Sequence, residues 1–374
     1  MALESAESEY RTSLALGIIG PGLIGSTLLD QIRDQSSVLR GDFDIDLRVV
    51  GIIGSTTMLL EDARVDLTNW RAGFSAKGEQ SNLDRFIAHL QRQEYFGPNK
   101  VIVDCTASAD IAEHYLEWLK LGIHIVTPNK RANSGPLDKY LAVRKLQRET
   151  YTHYFYEATV GAGLPIISTL RSLMETGDKI QQVEGIFSGT LSYIFNSLTG
   201  SRTFSDVVKE AKAKGYTEPD PRDDLSGTDV ARKVVILARE AGMKLELKDI
   251  PIENLVPEEL KDPNLTVDEF LNKLPEFDQA LTARRKEAES AGEVLRFVGV
   301  VDVLNNKGSV ELKRVPKVNA FAQLNGSDNI IAFTTSRYQE NPVIVRGPGA
   351  GAAVTAGGVF SDILKLTAYL GAPS

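Results

Sequence analysis

The densest run of side chains able to move protons or hold charge is Gly215-Tyr-Thr-Glu-Pro-Asp-Pro-Arg-Asp-Asp-Leu-Ser-Gly-Thr-Asp-Val-Ala-Arg-Lys233. Prolines and glycines fix a loop, and a helix is expected from about Ser226, placing Asp229 and Lys233 four apart on one face. On a solvated helix that spacing makes only a weak surface ion pair. This helix continues as Val234-Val-Ile-Leu-Ala238, so Lys233 enters apolar surroundings. Burial favours the neutral amine, which suits a lysine to proton transfer, and Glu218, Asp224 and Asp229 supply charge partners. Composition alone leaves a solvated loop and a proton-transfer site equally open.

A second constellation is Gly20-Pro-Gly-Leu-Ile-Gly25, which follows an apolar strand and opens a helix in the G-x-G-x-x-G arrangement. Gly20 serves the tight turn, Gly22 the close approach of a pyrophosphate and Gly25 the packing of helix on sheet. Leu23 and Ile24 complete the contacting turn. Free N–H groups and the dipole at the helix N-terminus favour the anion. A glycine-rich structural turn is the alternative; the strand before it, the helix after it and the continuing β/α rhythm favour a nucleotide. The next strand ends in Gly51-Ile-Ile-Gly-Ser-Thr-Thr57, with no carboxylate before Glu61. An acid there would hold a ribose 2′-hydroxyl and repel a 2′-phosphate. Ser55, Thr56 and Thr57 offer hydroxyls instead, without a lysine or arginine beside them, so NADP is favoured over NAD. Thr106, in Asp104-Cys-Thr-Ala-Ser108, is expected to border the nicotinamide half.

Thr127-Pro-Asn-Lys130 ends a strand at the edge where ligands of doubly wound sheets bind. Glu157-Ala-Thr-Val-Gly-Ala-Gly-Leu-Pro165 reads as a hinge, a plain turn, or a cage of carbonyls and one carboxylate for a monovalent cation. Cys105 is a candidate nucleophile for acyl-forming chemistry, but no histidine stands near it in sequence, and a buried structural thiol is favoured. His89, His114, His124 and His153 show no metal-ligand spacing, and no zinc site is expected.

Buried strands are expected at 14–19, 47–53, 101–104, 124–127 and 151–158, with helices at 24–33, 83–93, 111–121 and 137–149. Their alternation predicts an α/β fold with a Rossmann-type, doubly wound parallel sheet. Past residue 160 the rhythm changes to a second, α+β catalytic and dimerisation domain. It has strands at 182–188, 294–304, 309–314 and 330–335, a helix at 229–241, and short helices within 250–291. Turns are expected at 305–308 and 325–328, and a final helix at 357–370 should pack back onto the first domain. The expected organisation is a disordered segment 1–13, a dinucleotide-binding domain 14–160, a catalytic and dimerisation domain 161–340 and a returning segment 341–374.

The 374 residues, 42% hydrophobic and 25% charged with a net charge of −8, suffice for a sizeable core. One cysteine excludes an internal disulfide scaffold. The acidic balance argues against nucleic acid as partner. No apolar run reaches the roughly 18 residues of a membrane span. Residues 1–13 resemble neither a secretory signal nor a transit peptide, and a reduced, cytoplasmic setting is expected.

Taken in order, Gly20–Gly25, Thr127–Lys130, Glu157–Pro165, Gly189-Thr-Leu-Ser-Tyr-Ile-Phe-Asn196 and Gly215–Lys233 closely resemble homoserine dehydrogenase. The likeness runs from about Leu14 to Gly347-Pro-Gly-Ala-Gly351 and the helix after it. The 215–233 block is highly specific, and the first glycine motif is not. The resemblance implies NAD(P)-dependent interconversion of L-homoserine and L-aspartate 4-semialdehyde, in threonine, methionine and isoleucine biosynthesis, by a homodimer. It implies Lys233 as acid/base on the substrate hydroxyl, supported by Asp224, with Lys130 bridging substrate and cofactor. Glu218 and Asp229 would hold the substrate ammonium, and Gly349 would return to the cofactor. A sodium ion is implied near Glu157 and the carbonyls of Val160, Ala162 and Leu164. Related plant-type enzymes often place a basic residue where Thr56 stands here, so use of both NADP and NAD is in view. Motif order fills 14–374, so the expected type is monofunctional, without a fused aspartokinase or a C-terminal regulatory domain. The competing readings are a semialdehyde dehydrogenase that depends on Cys105 and a silent NADP-binding regulator.

Overall fold

The run TSLALGII is buried at every position, as a strand covered on both faces must be, and forms β1 (Thr12–Ile19). β2 (Ile45–Ile53) is likewise buried throughout and lies parallel to it. The structure, a computed structural model, describes residues 12–92 and 99–372. These form two compact units: 12–132, 138–163 and 351–372 in one, 133–137 and 164–350 in the other. The expected disordered segment 1–13 lies outside the described residues except for Thr12 and Ser13, which open β1. The last expected residue of the 83–93 helix lies outside them too; the helix is described as Leu83–Gln91.

In the first unit, β3 (Thr57–Leu60), β4 (Glu79–Gln80), β5 (Asn99–Asp104), β6 (His124–Val126) and β7 (Tyr154–Phe155) complete a sheet ordered β4-β3-β2-β1-β5-β6-β7. β1, β2, β5, β6 and β7 run parallel, and β3 and β4 fold back antiparallel at one edge. This is the Rossmann-type sheet, with the order reversing at β1 between β2 and β5. Gly17 and Gly51 face each other across β1 and β2, and the Phe86 ring lies 2.9 and 2.7 Å from where their Cβ atoms would stand. Leu28, Leu29 and Ile32 of helix Leu23–Phe43 share one apolar core with Ile363 and Leu366 of helix Ala352–Tyr369.

The second unit is α+β. β8 (Ile180–Ile186), β9 (Glu293–Asp302), β10 (Lys307–Pro316), β11 (Asp328–Thr335) and β12 (Val343–Pro348) form an antiparallel sheet ordered β10-β9-β8-β11-β12. Helices Gly189–Ser197, Thr228–Glu240 and Asp278–Ser290 pack on it. Ile186, Val298, Val300 and Ile330 pack with Phe321 and Leu324 of the 317–327 segment. The β9–β10 turn places Asn306 at φ 50°, a left-handed position that asparagine tolerates. No described helix is long and apolar enough to cross a membrane.

Several local expectations fail for identifiable reasons. The helix expected at 24–33 runs to Phe43, because Ser36 turns its hydroxyl onto the Arg33 carbonyl and Leu39 still reaches the core. The strand expected at 151–158 shrinks to β7: Tyr151 is left-handed at φ 56°, and Glu157–Thr159 is a 3₁₀ turn. The helix expected at 111–121 divides at His114 into Ala109–Glu113 and Tyr115–Lys120. β3, β4 and β12 were not foreseen, being short or weakly patterned.

His124, on β6, accepts a hydrogen bond at Nδ1 from the His153 backbone amide at 3.0 Å. Burial, reinforced by His153, lowers its pKa from 6.5 to about 4. The unfolded chain therefore binds a proton between those values that the folded chain excludes. Stability should fall as pH drops from 6.5 to about 4, by up to about 3 kcal/mol from this residue. His124→Asn keeps an acceptor and should flatten that slope in chemical denaturation at pH 7 and pH 4.5.

Candidate active site

In the first unit, the loop after β1 behaves as its three glycines require. Gly20 has φ 84°, and a Cβ there would stand 2.7 Å from the Thr106 methyl. At Gly25 a Cβ would stand 2.2 Å from the Gly20 carbonyl oxygen, so helix and turn close only without a side chain. At Gly22 a Cβ would meet no atom within 4 Å, so nothing in the protein itself forbids a side chain there. That open approach at a helix N-terminus is what a pyrophosphate needs. Leu23 is exposed, whereas the Ile24 side chain packs toward the core. Ser55 and Thr56 are exposed at the turn between β2 and β3, which Ser81 braces by donating to the Gly54 carbonyl.

At the ends of β5 and β6 lies a buried polar knot. Asp104 accepts from the Thr106 amide (2.8 Å), the Tyr115 hydroxyl (2.5 Å) and the Asn129 amide group (3.0 Å). The Thr127 hydroxyl donates to the Asp104 carbonyl. Lys130 is half-buried just beyond. Burial, with the Asp104 charge beside it, pushes the Cys105 thiol far above its ordinary pKa, which disfavours the thiolate a nucleophile needs.

In the second unit, helix Thr228–Glu240 begins at Gly227, φ 71°, and is buried along most of its length. Lys233 is only 9% exposed. Its Nζ donates to the Phe187 carbonyl at 2.8 Å and pairs with Asp229 Oδ2 at 2.8 Å. Asp224 accepts from the Glu218 amide at 2.8 Å. Burial raises the Asp224 pKa; bonds from the Glu218 amide and Thr190 pull it back, and the charges of Glu218 and Asp229 add to the rise. Glu218, Asp224, Asp229 and Lys233 thus form one electrostatically coupled group. Asp224 reaches it through Glu218 and Asp229, and no hydrogen bond from Lys233 to Asp224 is present. Thr190, which donates to the Tyr216 carbonyl at 2.6 Å, and the Phe187 carbonyl also belong to it. No sequence pattern points to Phe187, which acts through its backbone.

Gly349 lies against Asn329. A Cβ there would stand 2.0 Å from the Asn329 amide, so packing within the second unit already demands glycine. Asn329 is fully buried, and its amide nitrogen and oxygen have no partner among the described residues.

Glu157 is buried, with its amide donating to Asp362 Oδ2 at 2.8 Å and its carboxylate 3.1 Å from the Lys365 ammonium. Burial raises Asp362 to about 6. Gly161 and Ala162 are both left-handed, at φ 76° and 53°, which turns the backbone sharply after Val160. One carboxylate with peptide oxygens is a donor set suited to a hard cation. Among the described residues no three His, Cys, Asp or Glu side chains converge as a metal cluster.

A family model described as "Homoserine dehydrogenase, NAD binding domain" matches residues 20–157, and one described as "Homoserine dehydrogenase" matches 165–364. A chloroplastic bifunctional aspartokinase/homoserine dehydrogenase from Zea mays is 66% identical over all of this chain, which spans 41% of that protein's length. Homoserine dehydrogenase of Saccharomyces cerevisiae is 44% identical over 95% of this chain and 98% of its own. A hyperthermophilic archaeal homoserine dehydrogenase mutant in complex with NADPH superposes with a TM-score of 0.73 at 26% identity, covering 96% of this chain and 98% of that one.

Proposed function

The chain belongs to the homoserine dehydrogenase family, and from that premise we propose that it interconverts L-homoserine and L-aspartate 4-semialdehyde, with NADP favoured over NAD. The observation that carries this reading is Lys233, buried and held at 2.8 Å by both the Phe187 carbonyl and Asp229 amid a group of carboxylates. A lysine so fixed can take the hydroxyl proton as the carbinol carbon is oxidised and return it in the reverse direction. In reduction, negative charge grows on the aldehyde oxygen, and a preorganised ammonium stabilises it. Glu218 and Asp229, both exposed, are placed to receive the substrate's own ammonium group, and Asp224 holds the loop through the Glu218 amide.

A bound nicotinamide cofactor supplies the hydride acceptor. We assign to it Gly20, Gly22, Leu23, Ile24, Gly25, Thr56, Thr106, Lys130 and Gly349, with Lys130 also serving substrate. Exposed hydroxyls without a carboxylate at the β2–β3 turn, and the NADPH held by the archaeal relative, favour the phosphorylated form. Sodium at Glu157, Val160, Ala162 and Leu164 and a homodimer formed through the second unit's sheet complete the reading. Gln182, Glu184 and Ala332 keep part of their surface exposed on that sheet, which leaves room for a second copy.

The test is absorbance at the nicotinamide band. Adding L-homoserine to protein with NADP⁺ should reduce the cofactor, faster than with NAD⁺; no homoserine-dependent change would sink the proposal.

A further inference from the structure

Asp104 is fully buried at the end of β5, and the chemistry above gives it no proton to move. Its carboxylate nonetheless meets two loops at once. One oxygen accepts from the Thr106 amide at 2.8 Å; the other accepts from the Asn129 side-chain amide at 3.0 Å. The same Asn129 amide donates to the Ser108 carbonyl at 2.8 Å. Its oxygen accepts from the Arg131 amide at 3.0 Å, and its backbone amide donates to the Thr127 hydroxyl at 2.9 Å. Lys130 is therefore strung between two residues whose backbone amides are both pinned.

We propose that Asp104 is the positioning residue of the nucleotide site, fastening the Thr106 loop and the Thr127–Lys130 loop into one unit through Asn129. The proposal rests on the dinucleotide reading of this edge of the sheet. Other neighbours agree with it. Thr106 also packs under Gly20, so the same fastening reaches the first glycine of the turn after β1. Burial raises the Asp104 pKa, and hydrogen bonds from Tyr115 and from Thr106 and Asn129, one on each loop, pull it part of the way back. A neutral amide of the same shape cannot accept from all of those donors, because one of its two terminal atoms is itself a donor.

Three variants and one control test this: Asp104→Asn, Asn129→Ala, the double variant, and Gly17→Ala, whose Cβ would press on Phe86 and touch neither loop. The readout is NADPH affinity by fluorescence enhancement, with thermal stability measured alongside. Asp104→Asn and Asn129→Ala should each weaken NADPH binding about tenfold or more, the effect of losing a hydrogen bond to a buried charge. The double variant should be no weaker than the worse single one, since both changes cut one fastening. Gly17→Ala should lose stability and keep its affinity. Full additivity of the two changes, or Asp104→Asn binding NADPH as tightly as wild type, would overturn the proposal alone. Wild-type protein that binds no NADPH would overturn the dinucleotide reading, and the proposal with it.

Discussion

Lys233→Ala should bind NADPH like the wild type and turn over homoserine about a hundredfold to ten-thousandfold more slowly, the usual worth of a positioned acid/base. The size follows from the setting. The Nζ is held at 2.8 Å by an uncharged carbonyl on one side and by a half-exposed carboxylate on the other, so it has one defined position. Alanine leaves the Phe187 carbonyl unpaired, which costs stability of about 1–3 kcal/mol. Asp229 can turn to solvent. Lys233→Arg separates the two effects: it keeps a cation for Asp229 but a guanidinium does not give up its proton near neutral pH. Arginine should therefore restore much of the stability and little of the rate. Stopped-flow reduction of NADP⁺ with a parallel thermal melt checks both. Preserved turnover in either variant would remove Lys233 from its assigned role.

Gly22→Val and Gly25→Val should both abolish tight NADPH binding, but only the second should damage the protein. At Gly22 a new Cβ meets nothing within 4 Å, so the apo protein should melt as the wild type does. At Gly25 the Cβ would stand 2.2 Å from the Gly20 carbonyl oxygen, a backbone atom that cannot rotate away. Overpacking of that kind costs stability of about 1–3 kcal/mol or more, whereas a side chain at Gly22 occupies only the space a pyrophosphate would take. Fluorescence titration and melting of the two variants together distinguish a ligand approach from a packing contact. A Gly22→Val protein that bound NADPH normally would show that the open face of the turn is not where the pyrophosphate lies.

The sequence spoke clearly where a motif and an element boundary coincide. Gly20–Gly25 follows a fully buried strand, and the apolar run after Lys233 announced a buried helix. Both positions carry their chemistry in side chains, or in the lack of one. Backbone contributions were illegible: the Phe187 carbonyl that fixes Lys233 belongs to a residue whose side chain reads only as core. The Asp104 knot was illegible for another reason. Its members, Asp104, Tyr115, Thr127 and Asn129, meet only when β5 and β6 pair in register, and no single window contains them. Gly349 marks a third kind of limit. The resemblance places a cofactor there, and the sequence shows nothing of the second demand for glycine, made by Asn329 twenty residues earlier in the chain. Short edge strands such as β4 and β12 escaped because two to six residues of mixed polarity carry little period.

The proposed reaction is hydride transfer from the carbinol carbon of L-homoserine to the nicotinamide. It is tested most directly by mass spectrometry of the NADPH formed from L-homoserine deuterated at C4. One deuterium should appear on the nicotinamide ring for every turnover, together with a primary isotope effect that Cys105→Ser leaves in place. NADPH formed without deuterium, or no NADPH at all, would contradict it.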